Sequence, residues 1–334
     1  MTLGLLFLTL VIILIGAEVF TNALEHLGQR LKISEGVTGS IFAAVGTALP
    51  ETMVPVVAIL AGSGSVETRE EVGVGAILGA PMMLSTLTLV LMAVFAARKR
   101  GWGGSLRPER SGLHRDLMWF LIAFGLGAIA IFIPHEFKLL RGAIGMVLVL
   151  IYFVYLGLTL RASSKLVSEG HATEADHPLY LARIRVPENM FTIITQLALG
   201  FVLIVIGAKG FVHGIEALSA WLGLSALVLS LLIIPVATEL PEKINSILWI
   251  RRGRDTLAFG NITGAMVFQG SLLPALGILL TPWEARPEVL WGMGLTLLAS
   301  GYLFLLVWRG VHLKPYHLLL NGACYAAYFT VLLY

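Results

Sequence analysis

Gly46-Thr47-Ala48-Leu49-Pro50-Glu51 returns 191 residues later as Ala237-Thr238-Glu239-Leu240-Pro241-Glu242. The match runs without a gap from residues 16–51 onto residues 207–242, and thirteen of the 36 pairs are identical, Gly16/Gly207 and Phe20/Phe211 among them. A second match follows at an offset of 185, where Gly75-x3-Gly79 meets Gly260-x3-Gly264. Apolar composition alone yields chance pairs of Leu and Val. It does not yield a shared Thr-x-Leu-Pro-Glu, so the chain is read as an internal duplication.

Around these motifs the chain is too apolar to be soluble. Of its 334 residues 57% are hydrophobic and 13% charged, and mean hydropathy is +0.88; soluble domains carry roughly 25% charged residues. A helical span needs about 20 apolar residues, and ten can be placed, at residues 3–24, 36–61, 72–97, 117–133, 142–160, 191–213, 224–250, 257–280, 289–308 and 317–333. The first has no basic leading segment and is too long for a signal peptide, so it is read as a span. Residues 161–190 are polar and mixed in charge, which divides the chain into a first half (1–160), a cytoplasmic linker (161–190) and a second half (191–334).

Charge gives the orientation. The odd-numbered loops hold seventeen Lys and Arg residues against five on the even side, a positive-inside bias that places the odd loops in the cytoplasm and both termini outside. Five spans reverse the chain, so the two halves are expected to be inverted relative to each other. The fold expected is an all-α integral membrane protein of ten transmembrane helices in two inverted five-helix repeats. That is a transporter architecture with its site near the midplane, and a cell membrane is the expected location. The lipid bilayer and inorganic cations are the expected partners, nucleic acid is not, and the oligomeric state is open. Basic residues are spread between apolar stretches rather than gathered in a patch, and Cys324 alone makes no disulfide or metal cluster.

Glu51 and Glu242 fall mid-span, where an ionisable side chain costs at least ~2.5–3.5 kcal/mol on insertion scales. Each follows a proline, which removes an amide donor and frees a carbonyl one turn upstream. Two carboxylates, the hydroxyls of Thr47 and Thr238 and freed carbonyls make an all-oxygen donor set suited to a hard cation, Ca2+ above all. The competing structural reading is a pair of kinked Pro-Glu turns with protonated, hydrogen-bonded carboxylates. Glycines of the third and eighth spans allow close helix packing or wall the site. The eighth span offers Asn261, Thr263 and Gln269, and the third span almost no polar group. Glu18 and Lys209, at equivalent repeat positions, are read as structural. No H-E-x-x-H, G-x-S-x-G or P-loop is present, so neither an enzyme nor a resident cofactor is expected.

The paired motifs resemble the two alpha-repeats of the sodium/calcium exchanger family, within the cation/Ca2+ antiporter superfamily. Gly260-Asn261-Ile262-Thr263-Gly264-Ala265-Met266-Val267-Phe268 is similar to that family's Gly-Asn-x-x-Gly-Ser-Asn-x-Phe element. The resemblance implies alternating access with Ca2+ held by Glu51 and Glu242, assisted by Thr47 and Thr238. Several positions depart from the family pattern. Its serine after threonine is Ala48 in one repeat and Glu239 in the other, its Gly-Ser serines are Ala80 and Ala265, and its Asn or Asp four residues on is Leu84 or Gln269. These losses imply fewer Na+ sites and a larger role for protons.

The expected activity is therefore export of Ca2+ or a similar divalent cation in exchange for Na+ or H+. The alternatives are an exchanger for Mg2+, Mn2+ or a monovalent cation, and a non-coupled channel. Glu239, Lys243, Gln269 and Asn261 are the candidates for counter-ion coupling. Glu239 and Glu242 stand three residues apart and repel, so the pair is expected to hold a proton when no cation is bound. Glu239-x3-Lys243 is spaced for a helical salt bridge, which either neutralises both residues or replaces a lost Na+ site.

Overall fold

The computed structural model describes residues 2–30, 44–167, 178–183 and 186–333, and among them every regular element is helical. In chain order these are α1 (Thr2–Arg30), α2 (Ala44–Ala61), α3 (Val66–Met83), α4 (Leu89–Arg100), α5 (Arg110–Ala130), α6 (Lys138–Val167), α7 (Tyr180–Arg183), α8 (Met190–Leu222), α9 (Ala226–Thr238), α10 (Leu240–Arg251), α11 (Asp255–Leu280), α12 (Pro287–Trp308) and α13 (Leu319–Leu333). A π-helical turn, Leu84–Thr88, joins α3 to α4, and a 3-10 turn, Pro315–Leu318, precedes α13.

Seven stretches are long and apolar enough to cross a bilayer; α9 and residues 48–61 of α2, the helices of the duplicated motif, are shorter. The expected span at 224–250 is two helices divided at Glu239. The start of the expected span at 36–61 lies outside the described residues, as do 168–177 and 184–185 of the expected linker. Side chains such as Leu139 (89% exposed) and Phe191 (79% exposed) face outward from their helices, as a hydrocarbon solvent allows and water does not. Local signals set the helix ends. Asn189 caps α8 by accepting from Thr192 N at 3.0 Å, Ser225 caps α9 through Val228 N at 3.2 Å, and Gly223 closes α8 at φ 68°, which a side chain resists.

The chain divides into two compact units, Met1–Ser65 with Phe153–Gly223, and Val66–Tyr152 with Leu224–Tyr334. Each joins a segment of the first half to a later one, and Phe153–Gly223 runs from the end of the first half through the linker into the second.

In the first unit α1 packs antiparallel on α8. A Cβ on Gly214 would meet Leu6, one on Gly210 Thr9, one on Gly207 Ile13, and one on Gly200 Phe20, while Gly16 faces Ile204. As one number rises the other falls. The contact is also reciprocal under the repeat offset: Gly16 faces Gly200 and Ile204, and its counterpart Gly207 faces Thr9 and Ile13, the positions 191 residues before them. Such an i-to-j, j-to-i pairing is what a two-fold axis produces. The first helices of the two repeats are thus inverted relative to each other. Ala17, Phe20, Leu24 and Ile204 form the core of this pair. The short helix α7 docks there: Tyr180 N and Gln196 Nε2 donate to Asn22 Oδ1, Leu181 N donates to Gln196 Oε1, and Leu179 is fully buried.

In the second unit α3 packs along α9 through its glycines. A Cβ on Gly75 would stand 2.9 Å from the Leu227 carbonyl, and one on Gly79 2.6 Å from the Leu231 carbonyl and 2.5 Å from Pro235 Cγ. Pro235 lacks the N–H that would otherwise bond Leu231 O, so glycine lets α3 lie against that carbonyl.

Candidate cation site

Two prolines shape the second motif. Pro235 lies within α9, and Pro241 opens α10. Between them Glu239 sits outside both helices at φ −85°, ψ 5°. Pro241 cannot return an N–H to Ala237 O, and the Glu239 amide reaches the Pro235 and Ala237 carbonyls instead. Lys243 N then bonds Glu239 O at 3.1 Å and the helix resumes.

This one-residue break sets three ionisable side chains in the interior. Glu239 is 0%, Glu242 3% and Lys243 6% exposed. Carboxylate oxygens of Glu239 and Glu242 lie within 4.8 Å of each other. Gln269 on α11 donates its Nε2 to Glu239 Oε1 at 2.7 Å. The other oxygens of that pair, Glu239 Oε2 and Gln269 Oε1, are buried without a hydrogen-bond partner among the described residues. Lys243 sends its ammonium back to the Pro235 carbonyl at 3.0 Å, beside Met83 Sδ at 2.8 Å. The Thr238 hydroxyl donates to Ile234 O at 3.1 Å, so toward a cation it offers lone pairs.

The other residues expected on the eighth span are used differently. Asn261 donates to Glu242 O at 3.2 Å and Ser246 Oγ at 3.0 Å, fixing α11 to the carboxylate-bearing turn of α10. Thr263 is turned to another partner, Asp116 Oδ2 on α5, at 2.8 Å. Asp116, 5% exposed, adjoins a run of loop charges in the sequence, which masks its burial. Its only sequence signal is the apolar run that begins at the next residue.

The expectation that the third span offers almost no polar group is wrong, because Ser85, Thr86 and Thr88 stand within it. Ser85, Thr86 and Thr88 are all fully buried in the π turn. Ser85 and Thr86 donate to Met82 O, Thr88 Oγ1 has no hydrogen-bond partner among the described residues, and Asn321 of α13 donates to Ser85 O at 2.8 Å. A π turn inside a helix frequently marks a functional site.

In the first unit Glu51 is 4% exposed on α2, between Pro50 and Pro55. The Thr47 side chain lies outside the described residues. Thr52, the repeat counterpart of Lys243, donates to Ala48 O at 2.8 Å, and Ala48 is the counterpart of Glu239. Glu18, read as structural, accepts from Tyr180 OH at 2.5 Å, a bond that with burial pushes the Tyr180 phenol up to about 12.

Residues 1–161 and 192–334 match the family described as sodium/calcium exchanger protein. The chain belongs to this family. Among curated relatives it is 26% identical to the putative antiporter CaxA of Alkalimonas amylolytica, over 82% of this chain and 79% of that one. It is 24% identical to the inner membrane protein YrbG of Escherichia coli K12 (92% and 88%) and 23% identical to the sodium/calcium exchanger MaX1 of Methanosarcina acetivorans (99% and 98%). Its fold is that of the H+/Ca2+ exchanger CAX (TM-score 0.70, 16% identity, covering 100% of this chain and 82% of that one) and of the sodium-calcium exchanger NCX_Mj (TM-score 0.60, 20% identity, 99% and 98%). Like its family, it is a multi-pass integral membrane protein. Within this exchanger-family chain, the polar departures of the second repeat meet in space: Glu239 and Gln269 are bonded to each other.

Proposed function

We propose that this chain is a secondary antiporter that exports a divalent cation, Ca2+ in first place, in exchange for Na+ or H+. It works by alternating access across ten helices in two inverted five-helix repeats, 1–160 and 191–334, with the 161–190 linker cytoplasmic and both termini outside. Glu51 and Thr47 of the first repeat and Glu242 and Thr238 of the second are the proposed divalent ligands. The observation that carries the reading is the pair of buried carboxylates, Glu239 and Glu242, within 4.8 Å of each other. Carboxylates so close in a low-dielectric interior call for a cation or a proton between them. The relatives, named as exchangers of Ca2+ with Na+ or with H+, support both counter-ions.

The second repeat favours protons. The proposed coupling set is Glu239, Gln269 and Lys243, with Asn261 holding α11 to the Glu242 turn. Lys243 carries a fixed positive charge on the Pro235 carbonyl, where a mobile monovalent cation would otherwise be needed, and Glu239 carries the exchangeable proton. The test is Ca2+ flux in proteoliposomes with Na+ and pH gradients imposed separately. Counterflow driven by the pH gradient is expected; Ca2+ movement with neither gradient nor exchangeable ion would identify a channel. Glu51→Gln and Glu242→Gln each keep side-chain shape while removing a charge, and each is expected to abolish divalent flux in protein that still inserts. Wild-type flux in both variants would make these glutamates structural.

A further inference from the structure

The loops at one end of the second unit form a basic cleft that ion exchange does not use. Residues 105–108, 110, 113, 307 and 310–313 line a cavity of about 480 Å³, with Arg107, Arg110, Leu113, Val311 and His312 among them, a size within the usual range for ligand sites. Backbone and side-chain bonds build its walls. Leu106 N donates to Leu313 O at 2.8 Å, and Arg110 donates to the Val307 and Trp308 carbonyls at the end of α12, both at 2.9 Å. The floor is apolar, with Leu106, Leu113, Val307 and Leu313 all buried. The mouth is cationic. Among the described residues the exposed Arg107 guanidinium makes no hydrogen bond or ion pair, and Arg110 has N–H groups beyond the two it uses.

Nearby acids leave this charge uncancelled. Asp255 is held by Arg100 and by Arg107 N, each at 2.7 Å. Glu109 is turned to the Ser111 and Gly112 amides at the start of α5. Trp308 (61% exposed), next in sequence to the lining residue Val307, and Trp102 (45% exposed), three residues before Ser105, are surface tryptophans of the kind found at a bilayer interface.

We propose that this cleft binds the headgroup of an anionic phospholipid, with the phosphate between Arg107 and Arg110 and the glycerol and first acyl carbons on the apolar floor. A basic mouth alone would suit any phosphate. The apolar floor and the interfacial tryptophans select a lipid. Each basic residue near an anionic headgroup contributes about 1 kcal/mol, roughly a fivefold change in affinity.

The test is native mass spectrometry of the purified full chain titrated with phosphatidylglycerol or phosphatidylcholine, alongside thermal unfolding with the same lipids and with glycerol 3-phosphate. Phosphatidylglycerol is expected to bind and raise Tm; phosphatidylcholine and glycerol 3-phosphate are not. Arg107→Gln should weaken phosphatidylglycerol binding roughly fivefold and Arg107→Glu roughly twenty-five-fold. Val311→Trp, which fills the cleft without altering charge, should weaken it as well, whereas Arg309→Gln, outside the cleft, should not. Equal binding of both lipids, an equal shift from glycerol 3-phosphate, an equal loss in Arg309→Gln or full binding by Val311→Trp would each overturn the assignment. None of these readouts depends on transport.

Discussion

Glu239 and Gln269 are each unusual alone, and their bond explains why they occur together. A carboxylate at 0% exposure loses hydration worth several kcal/mol, and Gln269 Nε2 restores one strong donor at 2.7 Å. Gln269→Leu installs the residue that Leu84 supplies in the other repeat and strands that oxygen. It is expected to cost ~1.5–3 kcal/mol, read as a lowered Tm in detergent. Glu239→Ser with Gln269→Leu removes both partners and should recover part of that loss, so the double-mutant cycle is expected to be non-additive. Additive losses would mean that the bond carries no energy. The sequence exposed each residue by contrast with its repeat counterpart, Ala48 or Leu84. It hid their contact, because thirty residues separate them and the other repeat, apolar at both positions, has no matching pair. Lys243 was legible as a charge spaced for Glu239, whereas its place on the Pro235 carbonyl depends on the geometry of the break.

At the level of helices, composition shows where apolar runs lie and does not show how they bend. Ser85, Thr86 and Thr88 sit among leucines at no helical period, so the π turn that gathers them was invisible. Glycines shared by the repeats likewise look equivalent and are not. A Cβ on Gly75 would press on Ser230 Cβ and the Leu227 carbonyl, and one on Gly79 on Pro235 and the Leu231 carbonyl, while one on Gly260, the counterpart of Gly75, has nothing within 4 Å. Gly79→Ala is expected to cost ~1–3 kcal/mol through forced helix separation, and Gly260→Ala to be neutral or slightly stabilising; thermal unfolding of the two variants decides it. Helix α5 carries a pH-dependent cap. Burial raises the Glu109 carboxyl, but bonds from Ser111 and Gly112 and the charge of Arg115 outweigh it and hold the group below its ordinary 4.5. The folded state thus favours the ionised form, and the stabilisation is present above pH 4.5 and lost as pH falls through the lower folded value. Glu109→Ala should cost about 1 kcal/mol at neutral pH, and its difference from wild type should vanish in acid.

For the whole molecule, the sequence reads as two consecutive halves, yet each compact unit joins a segment of the first half to a later one. Duplication of residues 16–51 as 207–242 exposed the repeat, and seventeen loop cations against five implied the inversion. The reciprocal contacts of Gly16 and Gly207 express that inversion in the first helix pair. What sequence could not supply was the interleaving, which arises from packing between segments separated by 71 or more residues of chain. The two copies of the motif differ at the positions proposed for coupling, with Ala48, Thr52 and Leu84 in one and Glu239, Lys243 and Gln269 in the other. On that proposal a chain with no ionisable side chain at these positions in one copy, and both a carboxyl and an ammonium in the other, is expected to have lost the Na+ dependence that rests on ligands in both. Glu239→Ser, which restores the hydroxyl found in the family pattern, is expected to flatten the pH profile of Ca2+ flux while Ca2+ binding persists, because Glu51 and Glu242 remain. Lys243→Ser removes the fixed cation, so flux in that variant should acquire a requirement for an added monovalent ion. Proteoliposome flux measured across pH, with and without Na+, reads both effects. An unchanged pH profile in the first variant and unchanged ion dependence in the second would assign both residues to structural roles.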